Sequence, residues 1–232
     1  MNPRPDLDPS SIRIPHHFTR EMVSWIPRAR SAEALALDLG CGEAIHRALC
    51  EAAGFGYVGL DYGSPKAPLL GDAHALPFRE ATFDLVISIA VLEHVTWPFL
   101  MMREAHRVLR PGGMLLGTVA FLEPFHENSH YHHTHLGTLN SLRYGGLTVE
   151  RIAPSEEWNV LTAQASMGFF PKLPRAVGRA LVLPLEILQR ALWRAGTLLR
   201  PDPARRSRTR NTTGAFVFIA RRAEGPRTGG AG

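Results

Sequence analysis

The chain has only two cysteines, Cys41 and Cys50, nine residues apart. That spacing suits neither a disulfide framework nor a paired-cysteine zinc site, and a reducing compartment is the simple reading. Long apolar runs are also missing. No stretch reaches the roughly 18 uninterrupted apolar residues of a spanning helix. The nearest, Ala176 to Leu199, is broken by Arg179, Pro184, Glu186, Arg190 and Arg194. The opening MNPRPDLDPSSIRIPHH has no apolar h-region, so no secretory signal is expected and a cytoplasmic location follows. There is no internal repeat, and AEGPRTGGAG at the end reads as a disordered tail. Acids are scarce late in the chain. From Lys172 to Gly232 there are 13 Lys and Arg against 3 acids, a balance of +10, whereas residues 1–171 carry 13 against 18, a balance of −5. A mildly acidic body is joined to a strongly basic region.

What remains is ordinary globular material: 232 residues, 45% hydrophobic and 20% charged. This composition excludes collagenous and disulfide-stapled classes and suits one α/β domain spanning residues 1–232. Residues 1–17 read as an irregular arm and Phe18 to Arg30 as a short helix. Apolar runs at Leu35–Leu39, Tyr57–Leu60, Phe83–Ile89, Met114–Val119, Leu147–Ile152 and Ala215–Ala220 read as strands. Helical patterns at Glu43–Ala53, Trp97–Leu109 and Leu136–Tyr144 alternate with them, and Pro111-Gly112-Gly113 is a strong breaker. The alternation and the unbroken apolar strands imply a mostly parallel sheet covered on both faces. A helical insertion at about 169–210 interrupts the rhythm before the last strand.

The first strand ends in an acid and then glycines: Asp38, Leu39, Gly40, Cys41, Gly42. Such glycines let backbone approach a ligand and turn the chain into a helix. Ile45 leaves the dinucleotide fingerprint incomplete, and no Lys-Ser/Thr completes a P-loop. Asp38 beside a helix N-terminus disfavours a pyrophosphate. Asp61 closes the second strand, where an acid hydrogen-bonds ribose hydroxyls. A cationic ligand with a ribose and no phosphate suits both acids.

LALDLGCG, YVGLDYG, GDAHALPF, FDLVISIAVLEHV and EAHRVLRPGGMLLGTV resemble, in order and spacing, the class I S-adenosylmethionine-dependent methyltransferases, in their small-molecule branch. The resemblance covers residues 35–120. It implies a Rossmann-like seven-stranded mostly parallel sheet and S-adenosyl-L-methionine as cofactor. It also implies site roles. Asp38, Gly40, Cys41 and Gly42 line the methionine part, Asp61 holds the ribose and Tyr62 packs beside the adenine. Asp72 and Ala73 contact the adenine, and Ile89 and Ala90 close over the sulfonium. Ala44 departs from the family, which usually has a third glycine there, so a slightly tighter cofactor site is expected.

Methyl transfer to oxygen, nitrogen or carbon needs in-line orientation and often a base. The segment FHENSHYHHTH, within a substrate loop at 121–146, carries His126, His130, His132, His133 and His135. His126 and His130 are the first candidates for base or acceptor-orienting group, with His94 as a third. The same histidines are open to two other readings: a divalent-metal site at His130, His132 and His135, or plain lid residues. No metal is expected.

In the basic insertion, arginines recur at helical spacing opposite Leu181, Leu185, Leu188 and Leu192, with Trp193 as a possible interface anchor. An amphipathic hairpin or kinked helix around Pro184 follows, read as a lid, a dimer element or a contact with an anionic membrane surface. Nucleic acid is the poorest fit, because aromatics are not interleaved. The acceptor is then a small or lipid-linked molecule such as a natural product, glycan or isoprenoid. The rival reading is a catalytically silent scaffold of the same fold that recruits membrane or protein partners.

Overall fold

The computed structural model describes residues 7, 12–15, 17–155, 157–199 and 208–224. The expected C-terminal tail from 225 onward, most of the first 17 residues and Arg205–Arg206 of the basic region lie outside them.

Seven strands form one sheet: β1 (Leu35–Leu39), β2 (Gly56–Asp61), β3 (Leu69–Leu70), β4 (Phe83–Ile89), β5 (Leu109–Ala120), β6 (Thr148–Pro154) and β7 (Ala215–Arg221). Their order is β3-β2-β1-β4-β5-β7-β6. All pairings are parallel except those of β7, which runs antiparallel to both β5 and β6. The mostly parallel sheet read from the sequence is therefore present, with one reversed strand. Two-residue β3 at the edge escaped the sequence reading, since two leucines carry no period. β5 also starts earlier than expected. Pro111-Gly112-Gly113 ends the preceding helix, but the breaker is absorbed at the start of the strand as a register shift opposite Phe83–Leu85.

Short helices connect the strands: α1 (Arg20–Trp25), α2 (Arg47–Ala52), α3 (Pro98–Val108), α4 (His135–Tyr144) and α5 (Val160–Ala163). Because strand side chains alternate, the sheet has two faces. Leu37 and Leu39 point to one core with Met101, Met102 and Ala105 of α3. Ala36 points to the other with Met22 and Val23 of α1 and Leu49 and Cys50 of α2. Asp38 follows Ala36 by two and so projects toward α2. Gly117 on β5 has no room for a side chain: a Cβ there would meet the Phe218 ring at 2.3 Å.

Between β6 and β7 the chain is helical. After α5 comes one π-helical turn, Gln164–Phe169, then α6 (Arg175–Leu199) and α7 (Arg208–Thr212). α6 is one helix carried through Pro184, where a hairpin was the other expectation. Its buried positions are Gly178, Val182 and Glu186, each four residues from the next. Glu186, one of the charges that interrupt the apolar run, is buried and bonded to Arg190. Leu181, Leu185, Leu188 and Leu192 are exposed. Trp193 is not an exposed anchor, since its indole Nε1 is buried.

Candidate active site

At the carboxyl ends of the strands lies a cleft of about 810 Å³. Open α/β sheets bind ligands at this edge. Gly40, Cys41, Gly42, Ile45 and His46 form one wall; Ile89, Ala90, Glu93 and His94 form the floor beyond β4; Thr118 to Ala120, Glu123 and His126 form the far wall. Ile14, His17, Phe18 and Thr19 of the arm close one side.

The glycine loop has the conformation its composition suggests. Gly40 has φ +76°, and a Cβ there would meet Val91 at 2.3 Å. Gly42 has φ +53°. Ala44, at the family's third glycine, also takes the left-handed conformation, with φ +59°. An alanine holds that conformation at a cost of roughly 1 kcal/mol. The turn keeps the backbone path of a glycine there, and helix α2 begins only at Arg47, later than the expected Glu43.

Asp38 is fully buried, with 0% exposure. It accepts a hydrogen bond from the Tyr57 hydroxyl at 2.7 Å and lies 3.1 Å from His46 Nδ1. It does not line the cleft; His46 stands between. His46 lines the cleft, and the sequence does not single it out. An Asp and a His eight apart in sequence carry no recognisable spacing, and only the turn from β1 into α2 brings them together. Cys41 lines the cleft, but burial, with the Asp38 and Asp61 charges, pushes its thiol up to about 11. It is a packing residue and not a nucleophile.

Asp61 sits at the tip of β2. It accepts from the backbone N–H groups of Gly42 at 2.9 Å, Gly63 at 3.0 Å and Ser64 at 2.9 Å. Burial raises its pKa, but these donors and the Tyr62 N–H outweigh it and hold the carboxyl below its ordinary range. Its charge stitches the glycine loop to the next loop. Tyr62 beside it is 82% exposed. Asp72 accepts from the His74 backbone N–H at 2.8 Å and contacts His74 Nδ1 at 2.7 Å, while Trp97 N donates to His74 Nε2 at 3.1 Å. The backbone bond from His74 is the main reason its pKa is lowered. Ala73 packs against the core. Asp61, Tyr62, Asp72 and Ala73 thus lie beyond the cleft wall, along the carboxyl edge past β2.

The histidines divide. His94 and His126 line the cleft with their rings 5.2 Å apart, edge to face. His126 Nδ1 lies 3.0 Å from the Pro124 carbonyl. His130 stands outside, exposed, with Nε2 3.5 Å from Thr96 Oγ1. His133 is buried and its N–H donates to Ala120 O at 2.8 Å. His130, His132 and His135, the trio of the alternative metal reading, are not the residues brought together. Among the described residues, donor atoms of Glu93, His94 and His126 lie within 4.8 Å of one another. Glu93 is 1% exposed and its Oε2 has no partner. Burial pushes its carboxyl up to about 8, with Glu123 and Glu127 adding to the rise. Burial, and then His126, hold the His94 imidazole below its ordinary range, so it is neutral at pH 7. A protonatable carboxyl beside a neutral imidazole is an arrangement that moves protons.

With this geometry in hand, the likeness to known proteins is informative. Residues 37–117 match the model of a methyltransferase domain family. An uncharacterized methyltransferase of Mycobacterium marinum is 34% identical over 135 residues, 49% of this chain and 53% of that protein. A ubiquinone biosynthesis O-methyltransferase of Pseudomonas paraeruginosa is 32% identical over 125 residues, 46% of this chain and 53% of that protein. The chain thus spans about half the length of the curated relatives it matches. The structure of Haemonchus contortus phosphoethanolamine N-methyltransferase 2 in complex with S-adenosyl-L-methionine shares the fold, with a TM-score of 0.52 at 16% identity over 86% of this chain and 50% of that one. The chain carries a class I methyltransferase fold. Its likeness to the methyltransferase domain family lies in residues 37–117, the stretch that holds most of the five ordered motifs.

Proposed function

We propose that the protein transfers a methyl group from S-adenosyl-L-methionine to an oxygen, or to a nitrogen or carbon, of a small or lipid-linked acceptor. The observation that carries this reading is one cleft. It joins the glycine loop Gly40–Gly42, which suits the cofactor, to the pair His94 and His126 beside Glu93, which suits an acceptor. A cationic, phosphate-free ligand agrees with Asp38 behind that loop and with Asp61 and Asp72 along the edge. In this reading Gly40, Cys41 and Gly42 line the methionyl part, and Asp61 turns toward the ribose hydroxyls. Tyr62, Asp72 and Ala73 flank the adenine, and Ile89 and Ala90 bound the methyl. Residues 121–146 form the acceptor loop. His126 is the base, neutral His94 orients the acceptor, and His130 acts by holding the loop. Methyl transfer from a sulfonium requires alignment more than covalent catalysis, and orientation supplies roughly 7–11 kcal/mol.

One relative is a ubiquinone biosynthesis O-methyltransferase, and in this chain α6 supports a lipid-linked acceptor. It leaves Leu181, Leu185, Leu188 and Leu192 exposed beside Arg179 and Arg190. A basic amphipathic helix of this kind binds anionic membrane surfaces. Among the described residues, no helix is long and apolar enough to cross a membrane. The test is production of S-adenosylhomocysteine in the presence of S-adenosylmethionine and a panel of phenolic, glycosidic and isoprenoid acceptors. Turnover with one acceptor class supports the proposal. Cofactor binding without turnover on any would favour the silent-scaffold reading. Sedimentation with anionic and neutral liposomes tests α6: salt-sensitive binding to the anionic ones is expected.

A further inference from the structure

The cleft wall at the glycine loop contains one side chain that neither the family's motifs nor the fold requires. His46 precedes α2, is 4% exposed and lines the cleft. Its Nδ1 lies 3.2 Å and 3.1 Å from the two oxygens of Asp38. Tyr57 donates to the same carboxylate from the other side, at 2.7 Å. With Tyr57 donating its only proton, the remaining capacity of Asp38 is met by the Nδ1 proton of His46. In the neutral ring this leaves the lone pair on Nε2, which is buried and has no partner. Phe18 of the arm lies over the ring at 5.2 Å between centroids and shields it from water. A buried acceptor without a donor is costly and calls for a ligand.

The chemistry of that ligand follows from position. Asp61, Tyr62 and Asp72, which suit the nucleoside, stand outside this part of the cleft, whereas Gly40, Cys41 and Gly42 stand beside His46. The portion of the cofactor next to His46 is then the amino-acid end. Its donor group is an α-ammonium. The other acid on this wall, Glu43, is exposed and already bonded to Lys66 at 2.7 Å. We propose that His46, held in one orientation by buried Asp38, accepts a hydrogen bond from the α-ammonium of S-adenosylmethionine at Nε2. Asp38 is then a positioning residue that acts through the imidazole, and Tyr57 fixes Asp38. This rests on the cofactor reading given above and names one subsite within it.

Calorimetric titrations with S-adenosylhomocysteine and with 5′-methylthioadenosine separate the two. The second ligand keeps the thioether and nucleoside but has no amino acid. His46→Ala is expected to weaken S-adenosylhomocysteine binding by roughly 10- to 100-fold, the value of a hydrogen bond to a charged group. It is expected to leave 5′-methylthioadenosine binding unchanged. His46→Gln, whose Oε1 also accepts, should restore part of the loss. Should His46→Ala fail to fold, the wild-type protein still supplies a test. S-adenosylhomocysteine lacking its α-amino group should bind the wild type roughly tenfold more weakly than the parent, and the difference should vanish in His46→Gln or shrink. Equal loss of both ligands in His46→Ala, or no loss of either, overturns the assignment, as does tight wild-type binding of the deaminated ligand. Failure of the wild type to bind S-adenosylhomocysteine or 5′-methylthioadenosine at all would instead remove the cofactor reading beneath it.

Discussion

The backbone N–H of His130 donates to the carbonyl of Glu93 at 2.7 Å, with Tyr131 N–H on the same oxygen at 3.2 Å. This bond ties the histidine-rich loop to the short turn after β4 that carries Glu93 and His94. Tyr131 adds a second tie, from its hydroxyl to Thr96 O at 3.0 Å. The loop is thereby held so that His126 faces the cleft and the His130 ring does not.

Two neighbouring histidines should therefore behave differently. His126→Ala is expected to lower kcat by roughly 10²–10⁴-fold, the usual worth of a general base. His130→Ala keeps the backbone bond to Glu93 and should change kcat little. Steady-state kinetics on the two variants with the first acceptor found checks this. A His130 variant as impaired as the His126 variant would place the base on the wrong ring.

Glu93 makes stability depend on pH in a definite direction. Its folded-state carboxyl is raised from 4.5 to about 8, so between those values the folded protein binds a proton that the unfolded chain has lost. Stability should fall as pH rises through that window, by an amount on the order of a few kcal/mol. Urea unfolding at pH 5, 6.5 and 8 measures the slope. Glu93→Gln cannot titrate and should flatten it; an unchanged slope in that variant would assign the dependence elsewhere.

Ala44 holds a left-handed backbone that glycine adopts freely. Ala44→Gly should raise the thermal midpoint, with a gain of up to about 1 kcal/mol after the extra entropy of the unfolded glycine is offset. Cofactor affinity should be retained, because the backbone path is already the one a glycine would take. Thermal unfolding with and without S-adenosylhomocysteine compares the two. Loss of stability would mean that the methyl group packs usefully.

Exposed leucines on α6 give the liposome prediction its specific variant. Leu188→Glu together with Leu192→Glu should abolish sedimentation with anionic liposomes while leaving circular dichroism unchanged, since both side chains face away from the core. Retained sedimentation would remove α6 as the contact.

Much of this was legible in the residues. β1 and β4 fall where their apolar runs predict, because strands buried on both faces are continuous and apolar. The glycine loop announced itself through Gly40 and Gly42, positions where only the backbone conformation matters. The rest was hidden for physical reasons. β3 is too short to have a period. The burial of Glu186 carries no sequence signal, because a charge on an amphipathic helix is usually exposed; here Arg190 four residues on makes its burial tolerable. His46 and Glu93 were missed because their importance lies in what the fold brings near them, a carboxylate from β1 in one case and a distant loop in the other. Among five clustered histidines, sequence gave no means of separating His126 from His130, since the loop's hydrogen bonds decide which ring points inward.

The most direct test of the whole account is calorimetric binding of S-adenosylhomocysteine to the wild type and to Asp61→Ala. The account predicts one site in the wild type, and a loss of roughly tenfold or more in the variant, because Asp61 is the proposed partner of the ribose and holds the loop through Gly42 N. Folded wild-type protein that shows no heat of binding at high ligand concentration would contradict it.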